Sequence, residues 1–211
     1  KKSGDFLTSP EVSEYFGKIL NKWIQKNNLD LNITEFGSGT GSLIEQIDTK
    51  NKFAVEISST ARAELSQKNV QNVSSLDELT YKNSDLVFGN EVLDNIPCSI
   101  AIYKDGKWQE KIVSFNDGIF LYDFVDARTK IVEWIEWNRI KADENIDVEI
   151  QTNIDIFLEK IINKLNPKNI LFFDYGYEQK DRSKRKYRSL LRTYKDHHLS
   201  VDPILEPGNV D

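Results

Sequence analysis

Glu35-Phe-Gly37-Ser-Gly39-Thr-Gly41 is the stretch that decides the fold. A short β-prone segment, residues 32–36, runs into it. Beyond it, Leu43, Ile44 and Ile47 recur at helical spacing, which predicts a helix from about Ser42. Glycines let the chain turn tightly and let a ligand approach the backbone without a Cβ in the way. A helix opening behind such a turn would offer free N–H groups. In an open parallel sheet, the first strand–helix turn lies at the switch point where ligands bind.

The same rhythm continues on both sides. Ser9 and Pro10 suit the start of a helix whose apolar residues Val12, Tyr15, Phe16, Ile19, Leu20, Trp23 and Ile24 form one stripe ending near Asn27. Residues 53–57 read as a strand ending at Glu56, and residues 59–67 as a helix. Val73–Leu76 reads as a weak third strand, and Asp85–Phe88 as a fourth. Farther on, Thr152 or Asn153 caps a helix carrying Ile156, Phe157, Lys160, Ile161 and Leu165, which Pro167 stops. The apolar strand Asn169–Phe173 follows. Apolar strands alternating with amphipathic helices predict an α/β, Rossmann-like fold: a mainly parallel central sheet with helices on both faces. Between its halves, residues 99–103 and 108–115 alternate around Lys104-Asp105-Gly106-Lys107, an Asp-Gly hairpin turn. With a third strand at 119–125 and a helical segment near 131–140, residues from about 98 to 148 read as an inserted β-hairpin and helical segment. The expectation is one domain over 1–211, incomplete at both ends.

The spacing narrows the ligand. A dinucleotide fingerprint starting at Gly37 and Gly39 would place its third glycine at 42, which is Ser42. Here the third glycine is Gly41, and an acid, Glu35, precedes the first by two positions. That is the spacing of an S-adenosylmethionine loop. Glu56, at the end of the next strand, is placed to accept both hydroxyls of a ribose. Asp77, after the third strand, is a candidate for the adenine amino group. At the end of the fourth strand stands Asn90-Glu-Val-Leu-Asp94-Asn-Ile-Pro97. Glu91 and Asp94 would share a face if that segment were helical. Paired carboxylates suit a guanidinium held by two parallel hydrogen bonds.

Composition excludes other classes. Of 211 residues, 39% are hydrophobic and 29% charged, which is ordinary for a folded globular chain. No apolar run approaches the roughly 18 residues of a membrane helix, so no membrane insertion is expected. The net charge of −6 opposes duplex nucleic acid as the main partner. The exception is local: Lys180, Arg182, Lys184, Arg185, Lys186, Arg188 and Arg192, with Tyr187 and Tyr194 interleaved, read as a solvated loop or a contact for an acidic partner rather than a nucleic-acid surface. The lone Cys98 forms no intrachain disulfide and is expected half-buried. No metal cluster is spelled out, His197 and His198 being simple neighbours.

Several ordered motifs resemble the MidA-type methyltransferases, a family that includes a mitochondrial complex I assembly factor. They are Gly4-Asp-Phe-Leu-Thr-Ser-Pro-Glu11, Phe16-Gly17, the 35–41 loop, Val55-Glu-Ile-Ser58, the 90–97 segment and Trp108-Gln-Glu110. Val148-Glu-Ile150, Asp174-Tyr-Gly-Tyr177, Arg192, His197, Asp202-Pro203 and Pro207-Gly208 continue the series. The resemblance runs from Gly4 to Asp211. Ser38 replaces the family's usual proline and Thr40 its frequent arginine, and neither change removes a glycine. The resemblance implies S-adenosylmethionine as cofactor, held by Thr8, Glu35, Gly37, Ser38, Gly39, Gly41, Glu56, Ile57, Asp77 and Asn90. It implies Glu91, Asp94 and Asp174 as acceptor-side catalytic residues, and a protein arginine, on a core subunit of complex I, as acceptor. The expected setting is the bacterial cytoplasm, or the mitochondrial matrix in a eukaryote. A nucleic-acid or small-molecule methyltransferase and a non-catalytic cofactor-binding scaffold are the competing readings.

Overall fold

The computed structural model describes residues 9–29, 32–176, 190–195, 198–200, 202–207 and 209–210. The chain divides into two compact units. Thr8, Tyr177, His197 and the basic stretch from Lys180 to Arg188 lie outside the described residues.

The first unit, residues 6–94 and 156–175, holds a five-stranded sheet. Its strands are β1 (Asn32–Phe36), β2 (Asn51–Val55), β3 (Gln71–Val73), β4 (Leu86–Asn90) and β9 (Asn169–Phe173). All neighbours pair in parallel, in the order β3-β2-β1-β4-β9. The order reverses at β1, so the turn after β1 lies at the switch point. Alternation along the strands sends side chains to opposite faces. Ile33, Ala54, Leu86 and Phe88 pack with Leu20, Ile24, Ile44, Ile47 and Leu65. On the other side Phe36, Val55 and Val87 pack with Ile161 and Leu165. Both faces of the sheet are thereby covered, as the apolar strands predicted.

Three expectations on helices give way. The N-terminal helix is two: α1 (Ser9–Val12) and α2 (Tyr15–Lys26). The Ser13 hydroxyl accepts the Tyr15 N–H and marks the break. The apolar stripe divides too. Leu20 and Ile24 are buried with Phe16 and Trp23 against them, while Val12, Tyr15 and Ile19 are exposed. Behind the glycine loop there is no α-helix, only a 3-10 turn over Ile44–Gln46. Its apolar residues are buried as expected, but the free N–H groups of a long helix are not behind the loop. By contrast α3 (Ser59–Gln67) stands as read, with the Ser58 hydroxyl accepting the Ala61 N–H. The helix α5 (Thr152–Leu165) is present, but Thr152 lies within it and Ile156 is exposed.

The second unit, within residues 95–155 and 176–211, contains two antiparallel sheets. Four strands, β5 (Ser99–Lys104), β6 (Lys107–Asn116), β7 (Ile119–Asp126) and β8 (Asp147–Ile150), stand in the order β7-β6-β5-β8. Asp105 and Gly106 both take positive φ, the turn the Asp-Gly pair predicts. Ala101, Val148 and Ile150 pack on Ile131 and Ile135 of α4 (Thr129–Trp137). The other sheet is short: β10 (Thr193–Lys195) between β11 (His198–Ser200) and β12 (Asn209–Val210). Cys98 is exposed, not half-buried. No helix among the described residues is long and apolar enough to cross a membrane.

Candidate functional site

Residues from four loops at the carboxyl ends of the parallel strands make the candidate site. The first follows β1. Gly37 N–H donates to Val55 O at 2.9 Å and Gly41 N–H to Ser38 O at 2.8 Å, which fixes the loop as a tight turn. Gly39 has φ +51, and a Cβ built on it meets no atom of the described residues within 4 Å. Among those residues its backbone is open on that side. Gly41 differs, because a Cβ there would stand 2.7 Å from Leu65 Cδ2. That glycine serves packing of the loop on α3. Ser38 is buried and donates to Glu35 O at 3.2 Å.

Glu35 itself is buried, and its Oε2 has no hydrogen-bond partner among the described residues. Burial pushes its carboxyl up to about 8. The Ser38 hydroxyl and the Ile44 N–H oppose that rise, and the Glu56 charge adds slightly to it. Glu35 thus carries its proton at neutral pH.

The second loop follows β2. Glu56 N–H donates to Val73 O, so the residue is anchored between β2 and β3. Its carboxylate accepts the Gly39 N–H on Oε2 and the Ser58 N–H on Oε1, both at 2.8 Å. A carboxylate has about four acceptor positions, so each oxygen keeps a lone pair for a ligand hydroxyl. Arg62 donates to the carbonyls of Glu56 and Ile57, and the Ile57 side chain is 87% exposed. Asp77 lies in a 3-10 turn over Leu76–Glu78 with its side chain exposed. Lys164 donates to its carbonyl.

The third loop follows β4. Asn90 closes the strand and its amide donates to Glu91 Oε1 at 3.2 Å. Glu91 takes φ +52, a left-handed conformation rare for a side chain of this kind. Residues 91–97 are not helical, so the shared helical face expected for Glu91 and Asp94 does not arise. A turn brings the two acids near the strand end instead. The fourth loop, after β9, carries Asp174. Its Oδ2 accepts the N–H of Leu93 at 2.8 Å and of Asp94 at 3.2 Å, and its Oδ1 accepts the Tyr175 N–H at 2.9 Å.

The structure therefore ties the Gly37–Gly41 loop to Glu56, and Asp174 to the Glu91–Asp94 turn. It also shows a residue that the sequence reading passed over. Gln46 donates to the carbonyls of Pro10 and Ser42, fastening α1 to the far end of the glycine loop. Gly17 packs so closely on Gln46 that a Cβ would fall 2.3 Å from its Oε1. The Phe16-Gly17 pair was the available signal.

Comparison with known proteins follows the same lines. The family described as "Putative S-adenosyl-L-methionine-dependent methyltransferase" matches residues 15–211. The mitochondrial protein arginine methyltransferase NDUFAF7 homolog of Drosophila melanogaster is 24% identical, over 100% of this chain and 57% of its own length. A Burkholderia thailandensis protein solved with S-adenosyl-homocysteine bound superposes with a TM-score of 0.81 at 25% identity, over 99% of this chain and 59% of that one. A native structure from the same organism gives 0.79 at 25% identity, over 99% and 61%. The chain thus spans less than two thirds of the length of these relatives. With the parallel sheet ordered as described and a family match that takes in nearly the whole chain, the protein belongs to this family of S-adenosyl-L-methionine-dependent methyltransferases.

Proposed function

We propose that this chain binds S-adenosylmethionine on the β1 and β2 loops and transfers its methyl group to a protein acceptor, an arginine nitrogen. The observation that carries the reading is the Gly39–Glu56 pair. It sets an open backbone beside a buried carboxylate that retains acceptor capacity. These residues fit the cofactor. Glu56 would take the ribose hydroxyls, the exposed Ile57 side chain gives the purine an apolar face, and Asp77 would accept from the adenine amino group. Gly37, Ser38, Gly39 and Gly41 supply the backbone against which the rest of the ligand lies. Asn90 at the end of β4 completes the set, and Thr8 belongs to it by family resemblance. Burial favours the neutral form of the Glu35 carboxyl beside the loop.

Bound there, S-adenosylmethionine supplies an electrophilic methyl group on a sulfonium sulfur. The protein's share is alignment and proton handling. Glu91 and Asp94 would hold a guanidinium by charge-assisted hydrogen bonds, orienting one nitrogen and accepting its proton as the new bond forms. The Drosophila relative's name, which specifies arginine, supports this acceptor. The family resemblance extends it to a core subunit of respiratory complex I. The same name supports a mitochondrial setting for a eukaryotic chain.

The test is transfer of tritiated methyl from S-adenosylmethionine into protein, followed by acid hydrolysis and amino-acid analysis. Label in methylarginine, lost with Glu56→Ala and with Glu91→Gln, supports the reading. Label in nucleic acid or a small molecule, or none with cofactor bound, contradicts it.

A further inference from the structure

We propose that Asp174 is a positioning residue: its carboxylate builds the turn that presents Glu91 and Asp94, and it acts on the acceptor only through that turn. The inference rests on the acceptor role proposed above for that turn. Direct contact with the acceptor is the alternative for an acid at this strand end, and the geometry favours the indirect role.

Glu91 is the first residue beyond β4, and its left-handed φ of +52 is a conformation that a side-chain-bearing residue keeps when its surroundings impose it. Here the imposing contacts come from β9 on both sides of the bend. The last rung of the β4–β9 ladder pairs Asn90 with Phe173. Glu91 N–H then donates to Phe173 O at 2.8 Å. One residue later in β9's exit, Asp174 Oδ2 takes both the Leu93 and the Asp94 N–H. Residues 91–94 are not an α-helix, so the Leu93 and Asp94 N–H groups find their acceptor in a side chain 80 or more positions away. Asp174 Oδ1 is held in turn by the Tyr175 N–H, which fixes the carboxylate's orientation. Three backbone donors occupy most of the roughly four acceptor positions a carboxylate offers. Little is left with which to grip an acceptor directly.

The two roles separate by substitution. Asp174→Asn removes the charge but keeps an oxygen able to accept from Leu93 and Asp94, whereas Asp174→Ala removes the acceptor. Two readouts apply to the full chain. One is residue-resolved amide exchange at Leu93 and Asp94. The other is the rate of tritiated methyl transfer from S-adenosylmethionine into total lysate protein, at varied cofactor concentration. The expected result for Asp174→Ala is exchange faster by about tenfold or more at both amides, the loss of a charge-assisted hydrogen bond. A comparable loss of maximal transfer rate accompanies it, with the half-saturating cofactor concentration unchanged. Asp174→Asn keeps an oxygen for Leu93 and Asp94 but loses the charge and turns an NH2 group toward the Tyr175 N–H, so it falls between the unaltered protein and Asp174→Ala in both. Slow exchange at both amides in Asp174→Ala would overturn the proposal. So would an Asp174→Asn variant as inactive as Asp174→Ala with its amides still slow. If even the unaltered protein transfers no label, the functional reading fails, and the exchange data still decide the role of Asp174.

Discussion

The Gly39 N–H donates to Glu56 Oε2 across 2.8 Å, joining the glycine loop after β1 to the acid after β2. The two motifs are therefore one device. The carboxylate shapes the loop from below and presents its remaining lone pairs beside it. Glu56→Ala should weaken S-adenosyl-homocysteine binding through both effects, by about 1.5–3 kcal/mol for a hydrogen bond to a charged group. Glu56→Gln should fall between. Isothermal titration of the two variants checks the order.

Gly39 and Gly41 should respond differently to alanine. At Gly39 no described residue stands within 4 Å of the added Cβ, so Gly39→Ala costs stability chiefly through its left-handed backbone, about 1–2 kcal/mol. At Gly41 the same strain is joined by a Cβ 2.7 Å from Leu65 Cδ2, a side chain with no exposure. Thermal denaturation should rank Gly41→Ala below Gly39→Ala in Tm. Ligand titration should show Gly39→Ala losing binding out of proportion to its stability.

Glu35 predicts a pH signature. Its folded value, about 8, lies above its unfolded one, so the folded state holds a proton that the unfolded state releases. The stabilising contribution is complete below the unfolded value near 4.5 and is lost as pH rises through about 8. Glu35→Gln is neutral throughout and should flatten the decline of Tm across that window. Denaturation scans of both proteins at several pH values measure it. Equal slopes would show that Glu35 does not titrate as described.

In the second unit, Arg128 reaches Glu110 with two nitrogens, Nε at 2.8 Å among them, and Nη2 also donates to Ser99 Oγ at 3.1 Å. The Arg128 hydrogen bonds hold the Glu110 carboxyl below its ordinary range. Arg128→Ala leaves a buried carboxylate without this fork, and Arg128→Lys cannot reproduce it. Both should lower Tm at neutral pH, the alanine variant more. The difference from the unaltered protein should shrink in acid, where Glu110 takes up a proton.

What the sequence revealed depended on how local the cause was. β9, α3 and the Asp105-Gly106 hairpin are written in strand composition, a serine cap and a turn pair, so their bounds could be read directly. The helix expected after Gly41 failed because its end is set from elsewhere. Asn21 of α2 donates to Gln46 O and accepts the Asp48 N–H, ending the turn before β2 begins at Asn51. The Glu91–Asp94 turn failed for the same reason, its acceptor lying at Asp174. At the candidate site the glycine spacing and Glu56 were legible. The protonation of Glu35 and the latch formed by Gln46 were not, since both arise from packing that no local pattern encodes.

The most direct test of the account is isothermal titration of the folded chain with S-adenosyl-homocysteine, with NAD as the control ligand. The account predicts saturable one-site binding of S-adenosyl-homocysteine, abolished or strongly weakened by Glu56→Ala, and no heat from NAD. Cooperative thermal unfolding without S-adenosyl-homocysteine binding, or NAD binding of equal strength, would contradict it.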